Sequence, residues 1–202
     1  MRPSDNWTSC KVEPAEERQE IHHTIQTVIA SLNFFILCSR ATRIRKDYEG
    51  DDVPCYIDTE RYQSGWFNVV FEIVFDDGVV WIARVQLPPT RTDAIKGAED
   101  DSARKEIMKS EVVTMRYVKA HTTIPVPEIY DYNTEDSTAM NPIGYPYILM
   151  EPIEGRILQG TFGTSVPKRS QEQVLDMIAN YIIQLSNLRF SMIGLLVATT
   201  NF

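Results

Sequence analysis

The sequence predicts an α+β fold with its strands and helices in separate blocks, and three observations predict it. Phe67, Val69, Phe71, Ile73 and Phe75 alternate along one face, the period of a half-buried strand. Asp76-Asp77-Gly78 separates that run from a second one over residues 79–85, as the turn of a β-hairpin does. Residues 103–119 and 171–188 instead carry apolar side chains three and four positions apart, the spacing of one helix face. The order is helix, antiparallel strands, helix, two strands, helix, unlike the regular alternation of a doubly wound sheet.

The 202 residues suffice for one good-sized domain or two small ones. With 43% hydrophobic and 24% charged residues the composition is that of an ordinary globular protein. A net charge of −8 argues against a nucleic-acid partner or an anionic membrane, but leaves room for a nucleotide, which needs only a local cation. Three widely spaced cysteines, Cys10, Cys38 and Cys55, show no zinc or redox spacing and point to a reducing, cytoplasmic setting.

Residues 1–14 read as a flexible tail. The first twenty residues are polar, with Glu13, Glu16, Glu17 and Glu20, and lack the pattern of a signal peptide. Residues 15–55 form a helical extension. Its helix covers 15–45, with Ile21, Ile25, Val28, Leu32 and Phe35 as the apolar stripe. His22, His23, Gln26 and Asn33 interrupt that stretch, which is too short and polar for a membrane span. Lys46-Asp47-Tyr48-Glu49-Gly50-Asp51-Asp52 reads as turn. The hairpin follows, ended by Pro88 and Pro89, and residues 91–102 are a polar connection to the next helix.

Pro125 and Pro127 hold residues 124–132 extended. A loop over 133–141 leads to Tyr147-Ile148-Leu149-Met150, a short buried strand closed by Pro152 and Gly155. After a loop over 161–169, Ser170 is placed to cap the last helix, with Gln173 at the capping-box position. The stripe there is Val174, Met177, Ile178, Tyr181, Ile182 and Leu185.

Glu111 is the most informative residue. It shares its helical stripe with Arg104, Met108, Met115 and Val118, and a carboxylate on a packed face is costly unless a cation meets it. The candidate cation is Arg84, on the strand face opposite Trp81, Ala83 and Val85. A strand cation paired with a helix carboxylate is how kinase-like enzymes position nucleotide phosphates. Plainer readings stand beside this one: Arg84 as an exposed edge charge, Glu111 as a stripe-edge carboxylate or a local partner of Arg104. Gly65 permits close approach of backbone to a ligand, and equally suits a strand-entry turn. Met150-Glu151-Pro152-Ile153 offers backbone groups to an adenine edge, and equally suits a turn at a domain end. His22 and His23 point apart on a helix, His121 has no carboxylate at a catalytic spacing, and Glu99-Asp100-Asp101 reads as a solvated loop. No catalytic residue and no metal ligand is therefore assigned.

Several motifs stand in a particular order: Ser64-Gly65-Trp66-Phe67-Asn68-Val69-Val70-Phe71, then Asp77-Gly78 with Trp81-Ile82-Ala83-Arg84-Val85, then Ser110-Glu111-Val112-Val113-Thr114-Met115-Arg116-Tyr117. Ile124-Pro125-Val126-Pro127-Glu128-Ile129-Tyr130 and Gly144-Tyr145-Pro146-Tyr147-Ile148-Leu149-Met150-Glu151 follow, with Gly155, the last helix, Phe190 and Ile193-Gly194 behind them. On these residues the chain resembles the aminoglycoside phosphotransferase and choline-kinase-like enzymes, in the form common among filamentous fungi. The resemblance covers residues 56–195. It implies a protein-kinase-like N-terminal lobe over 56–156, with 157–202 as linker and first helix of a second lobe.

The resemblance further implies ATP as ligand, with Gly65 and Asn68 in the nucleotide loop and Arg84 where lysine is usual. Glu111 would be the partner of that cation, and Glu151 (through its C=O) and Ile153 (through its N–H) the hinge contacts to adenine. The acceptor would be a small-molecule hydroxyl of unspecified identity. Such enzymes also need a catalytic-loop Asp and Mg²⁺ ligands, whereas residues 189–202 contain no His, Asp or Glu. The expectation is a chain truncated ahead of its catalytic loop and inactive alone, with Mg²⁺ held only if a second lobe is present. The alternative is a non-catalytic, pseudokinase-like interaction module.

Overall fold

The computed structural model describes residues 2–3, 16–50, 52–89, 101–135, 137–155, 162–190 and 194–197. The expected tail over 1–14 (except Arg2 and Pro3), with Cys10, therefore lies outside the described residues, as do 90–100 of the polar connection and Ile193. The described elements are α1 (Glu16–Ser31), α2 (Phe34–Glu49), β1 (Cys55–Tyr56), β2 (Tyr62–Ser64), β3 (Asn68–Phe75), β4 (Val80–Gln86), α3 (Asp101–His121), β5 (Ile129–Asn133), β6 (Tyr147–Met150) and α4 (Lys168–Asn187).

The alternating run becomes β3, and the return strand β4 pairs with it from Asn68 opposite Gln86 to Val74 opposite Val80. Gly78 takes φ +90° in the connecting turn, a conformation open to glycine at little cost. The strands form one antiparallel sheet in the order β1-β3-β4-β6-β5, with β2 also on β3. The fold class is α+β, as the blocks of periodicity predict. Phe67 departs from the expected alternation: it lies in the turn ahead of β3 and is exposed, although its carbonyl still accepts from the Leu87 N–H.

Each face of the sheet carries a helical layer. Val69, Phe71, Ile73 and Phe75 of β3 join Trp81, Ala83 and Val85 of β4 in a core shared with Ile25, Val28 and Leu32 of α1 and Leu37, Ala41 and Ile44 of α2. Trp81 stacks on Tyr130 at 3.9 Å and meets Phe75 edge-on at 5.0 Å. On the other face Met108 and Val112 of α3 pack with Ile129 and Ile148. The helix is longer than the 103–119 expected, and Val112, outside the expected stripe, is its most buried apolar residue.

The single helix expected over 15–45 is two helices, bent by 68°. Asn33 makes the break: its side chain accepts from the Ile36 N–H at 3.1 Å, and its own N–H bonds to the Ile143 carbonyl. Restarting the helix there changes its phase. Phe35, expected in the stripe, is therefore 81% exposed, while Leu37, Ala41 and Ile44 turn inward. The expected turn at 46–52 is also shorter, since α2 continues to Glu49 and ends at Gly50 with φ +86°. No single helix among the described residues is long and apolar enough to cross a membrane.

The last helix departs from expectation at both ends and along its face. It starts at Lys168 behind Pro167, with no side-chain cap, so Ser170 lies inside it. Proline at that position follows a turn over residues 162–166 and leaves no N–H to satisfy. No residue of α4 is buried.

Two ionic clamps hold α2 to the sheet. Arg40 binds Asp131 through two hydrogen bonds of 2.8 and 2.9 Å, and Tyr147 donates its hydroxyl to the same carboxylate. Buried Arg45 binds Asp77 of the hairpin turn through both terminal nitrogens, lies over the Phe75 ring at 4.5 Å and also meets Glu49. The Arg45 guanidinium, with help from the Val79 N–H, pulls the Asp77 carboxyl down from 3.8 to about 2. A lowered folded-state pKa adds stability above the unfolded value and loses it as pH falls through the folded value. Asp77→Asn should therefore lower the urea midpoint at neutral pH, with the gap to wild type closing between pH 3.8 and about 2. An undiminished gap at the acid end would show that the clamp is not ionic.

Candidate nucleotide-binding face

The candidate site lies on the α3 face of the sheet, and strand register decides which residues reach it. Val70 stands opposite Gln63 of β2 on one side and Arg84 of β4 on the other, and Arg84 stands opposite Ile148 of β6. Cross-strand partners share a face, so Gln63, Val70, Arg84 and Ile148 form one row. Asn68 and Gln86 stand one step further along the same face.

Arg84 and Glu111 meet across the gap between β4 and α3. Nη1 donates to Oε1 and Nη2 to Oε2, both at 2.6 Å, a two-pronged pair in which planar guanidinium matches planar carboxylate. Arg84 is 19% exposed and Glu111 41%, so the pair is half open on its outer side. The local alternative for Glu111 is not what forms, because Arg104 instead donates to the Leu87 carbonyl. Further bonds fix the helix: Lys105 to Glu135 at 3.0 Å, Arg116 to the Ile129 carbonyl, and Lys119 to Val126, Glu128 and Glu151.

The remaining candidates are placed as follows. Gly65 opens the turn between β2 and β3, and its N–H is taken by the Asn68 carbonyl at 2.9 Å. A Cβ at Gly65 would meet nothing within 4 Å, so neither backbone angle nor space demands glycine in this state. Trp66 and Phe67 form the exposed tip of the turn. Glu151 follows β6; its carboxylate accepts from the Glu128 N–H at 3.0 Å and from Lys119, and the backbone donor first, then the lysine, lower its pKa. Its side chain is thereby tied back, leaving the chain at Ile153 exposed. The register thus puts Asn68 and Arg84 on one face beside Glu111, with Gly65 at the loop end and Glu151 and Ile153 at the end of β6.

One member of the site has no motif in the sequence. Among the described residues, two buried side-chain atoms lack a hydrogen-bond partner: Nε of Arg84 and Oε1 of Gln63. One is a donor and the other an acceptor, and they flank Val70 on the same face. Leaving such atoms unpaired costs about 1–3 kcal/mol each, a cost that an ordered water or a polar ligand group would relieve. Only the alternation of β2 could have placed Gln63, and a three-residue strand is too short to show alternation. Among the described residues no group of three or more His, Cys, Asp or Glu is placed so that it could hold a metal ion.

No family model matches the chain, and no solved structure matches it. It is similar to a subtelomeric hrmA-associated cluster protein of Aspergillus fumigatus, 32% identical over 142 residues, which are 70% of this chain and 25% of that protein. A second such protein, from another strain of that fungus, is 32% identical over 137 residues, or 68% of this chain and 24% of the relative. Altered inheritance of mitochondria protein 9 of Zygosaccharomyces rouxii is 30% identical over 88 residues, covering 44% of this chain and 14% of that protein. The chain spans about a quarter of the length of the first two relatives and less of the third.

If the pair holds α3 to β4, Arg84→Gln and Glu111→Gln should be non-additive. Urea unfolding of the two single variants and the double variant is expected to give a coupling of about 1 kcal/mol, the scale of a partly exposed ion pair. Additive effects would show that the Arg84–Glu111 pair does not hold the helix, leaving its apolar contacts and the bonds of Lys105, Arg116 and Lys119 to do so.

Proposed function

We propose that this chain is the nucleotide-binding portion of an ATP-dependent phosphotransferase acting on a small-molecule hydroxyl. The Arg84–Glu111 pair carries the reading, because phosphoryl-transferring kinases require a strand cation held by a helix carboxylate. An antiparallel sheet with one helix packed beside the cation supports a kinase-like N-terminal lobe. In this reading the Arg84 Nη hydrogens not bonded to Glu111 face the phosphates. Arginine stays charged at any working pH, so it acts as a fixed clamp and not as a proton carrier. The turn at Gly65–Asn68 covers the phosphates, and the Glu151 C=O and Ile153 N–H bind the adenine edge. Gln63, two strands from Arg84, contributes an acceptor to the same ligand.

These residues bind and orient, and none of them activates an acceptor hydroxyl. Alone, the chain is accordingly expected to bind ATP weakly and to transfer no phosphoryl group. The reading places it in the cytoplasm, although the name of the Zygosaccharomyces relative assigns that protein to the mitochondrion. A second reading, a non-catalytic interaction module, is favoured by α4, whose Met177, Ile178, Ile182 and Leu185 are all exposed.

Titration of the folded chain with ATP, followed by amide NMR shifts, tests the proposal. The expected result is millimolar-range binding with shifts confined to residues 63–70, 82–86 and 149–153, weakened about tenfold in Arg84→Gln, as for a lost charge-assisted phosphate contact. Shifts unaffected by that substitution, or none in a folded, monodisperse chain, would overturn it and favour the interaction module.

A further inference from the structure

Two of the three cysteines meet where α2 crosses the edge strand β1. Cys38 lies within α2 and Cys55 opens β1. As a thiol, Cys55 donates to the Cys38 carbonyl with Sγ and oxygen 3.4 Å apart, and its sulfur lies 3.5 Å from the Thr42 hydroxyl one helical turn on. Cys38 and Thr42 lie one turn apart on α2, which puts the Cys38 side chain on the helix face that meets Cys55. Both are half-buried free cysteines lining a cavity of about 470 Å³ beside Thr42, Arg43, Lys46 and Asp52. The cavity gives a small solute a way to the cysteine pair.

The surroundings make the two sulfurs unequal. Cys55 as a thiolate accepts from the Cys38 S–H and, less strongly, from Thr42, which brings its pKa down to about 7 against the opposing effects of burial and Asp76. The same hydrogen bond, with burial, pushes the Cys38 thiol up. The charged groups around the pair are mixed: Arg43 and Lys46 on α2, Asp52 ahead of β1, and Asp76 on the β3–β4 turn. A thiolate next to a thiol that stays protonated is the arrangement of an attacking and a resolving cysteine.

We propose that Cys38 and Cys55 form a hydroperoxide-responsive dithiol–disulfide site that fastens α2 to β1. The Cys55 thiolate attacks one oxygen of hydrogen peroxide, the O–O bond breaks, and hydroxide leaves as water after taking a proton. Cys55 is then a sulfenic acid. The Cys38 sulfur attacks the Cys55 sulfur, the S–O bond breaks as the S–S bond forms, and the Cys38 proton leaves with the oxygen as a second water. Two thiols and one peroxide become one disulfide and two waters, so two electrons pass from sulfur to oxygen. The bridge would act on a weakly held element, because β1 pairs with β3 through Cys55–Phe75 and Tyr56–Val74 alone. A transient, sensing disulfide of this kind suits a reducing compartment.

The test uses the full chain carrying Cys10→Ser, so that bridges to that cysteine cannot form. On treatment with hydrogen peroxide it should lose the mass of two hydrogen atoms and yield a Cys38–Cys55 cross-linked peptide, both reversed by dithiothreitol. Cys38→Ser should instead trap a dimedone-reactive sulfenic acid on Cys55, and Cys55→Ser should consume peroxide about tenfold more slowly. Because a variant could lose its fold, the Cys10→Ser chain is also compared with itself in urea, where its thiols should oxidise more slowly. Retention of both thiols, bridges only between chains, or oxidation no faster folded than in urea would overturn the proposal.

Discussion

Strand β4 lies inside the sheet, with β3 on one side and β6 on the other, and its faces are covered by different helices. Trp81, Ala83 and Val85 enter the core built with α1 and α2. Ile82, Arg84 and Gln86 take the opposite face, which α3 covers. Arg84 is the one charged residue of this strand, and a carboxylate that meets it lowers the cost of covering the strand with a helix. Glu111 supplies that carboxylate, and its two short bonds set the distance of α3 from the sheet. Met108 and Val112 then settle against Ile129 and Ile148, and Lys119 ties the end of the helix to the segment after β6.

The same constraint divides the labour between the faces. The α1–α2 face is packed with large apolar side chains and closed by the Arg40–Asp131 and Arg45–Asp77 clamps. The α3 face is polar at its centre: it holds a cation with donors to spare and a buried acceptor on Gln63, and it is bordered by an exposed turn. A cavity of about 500 Å³ between α2 and the β5–β6 side, lined by Arg40, Arg43, Tyr132, Met140 and Tyr147, lies outside this site, and its Arg40 is already bound to Asp131.

Much of this was legible in the sequence where periodicity was long or composition unusual. The eight residues of β3 showed their alternation, Tyr147–Met150 stood out as an apolar run between breakers, and Glu111 was conspicuous on an apolar stripe. The Arg84–Glu111 contact was legible because a carboxylate there required a cation. Where a feature depended on one hydrogen bond or on tertiary packing, the sequence was silent. Asn33 looks like one more polar residue in a helix until its side chain is seen capping a new one. The two-residue β1 and three-residue β2 are too short to carry a pattern, which hid both Gln63 and the meeting of Cys38 with Cys55. Helix α4 shows the reverse: its apolar stripe was legible, but periodicity reports only that a face is apolar, not that anything described here covers it.

The central claim is that the α3 face, organised by Arg84 and Glu111, receives the nucleotide. Hydrogen–deuterium exchange of the chain with and without ATP tests it most directly, because it reads every segment at once. Slower exchange at the Gly65 turn, in β4 around Arg84 and at Glu151–Ile153, with α2 unchanged, is the predicted result. Protection centred on α2 and its cavities, or no protection in a folded chain, would contradict it.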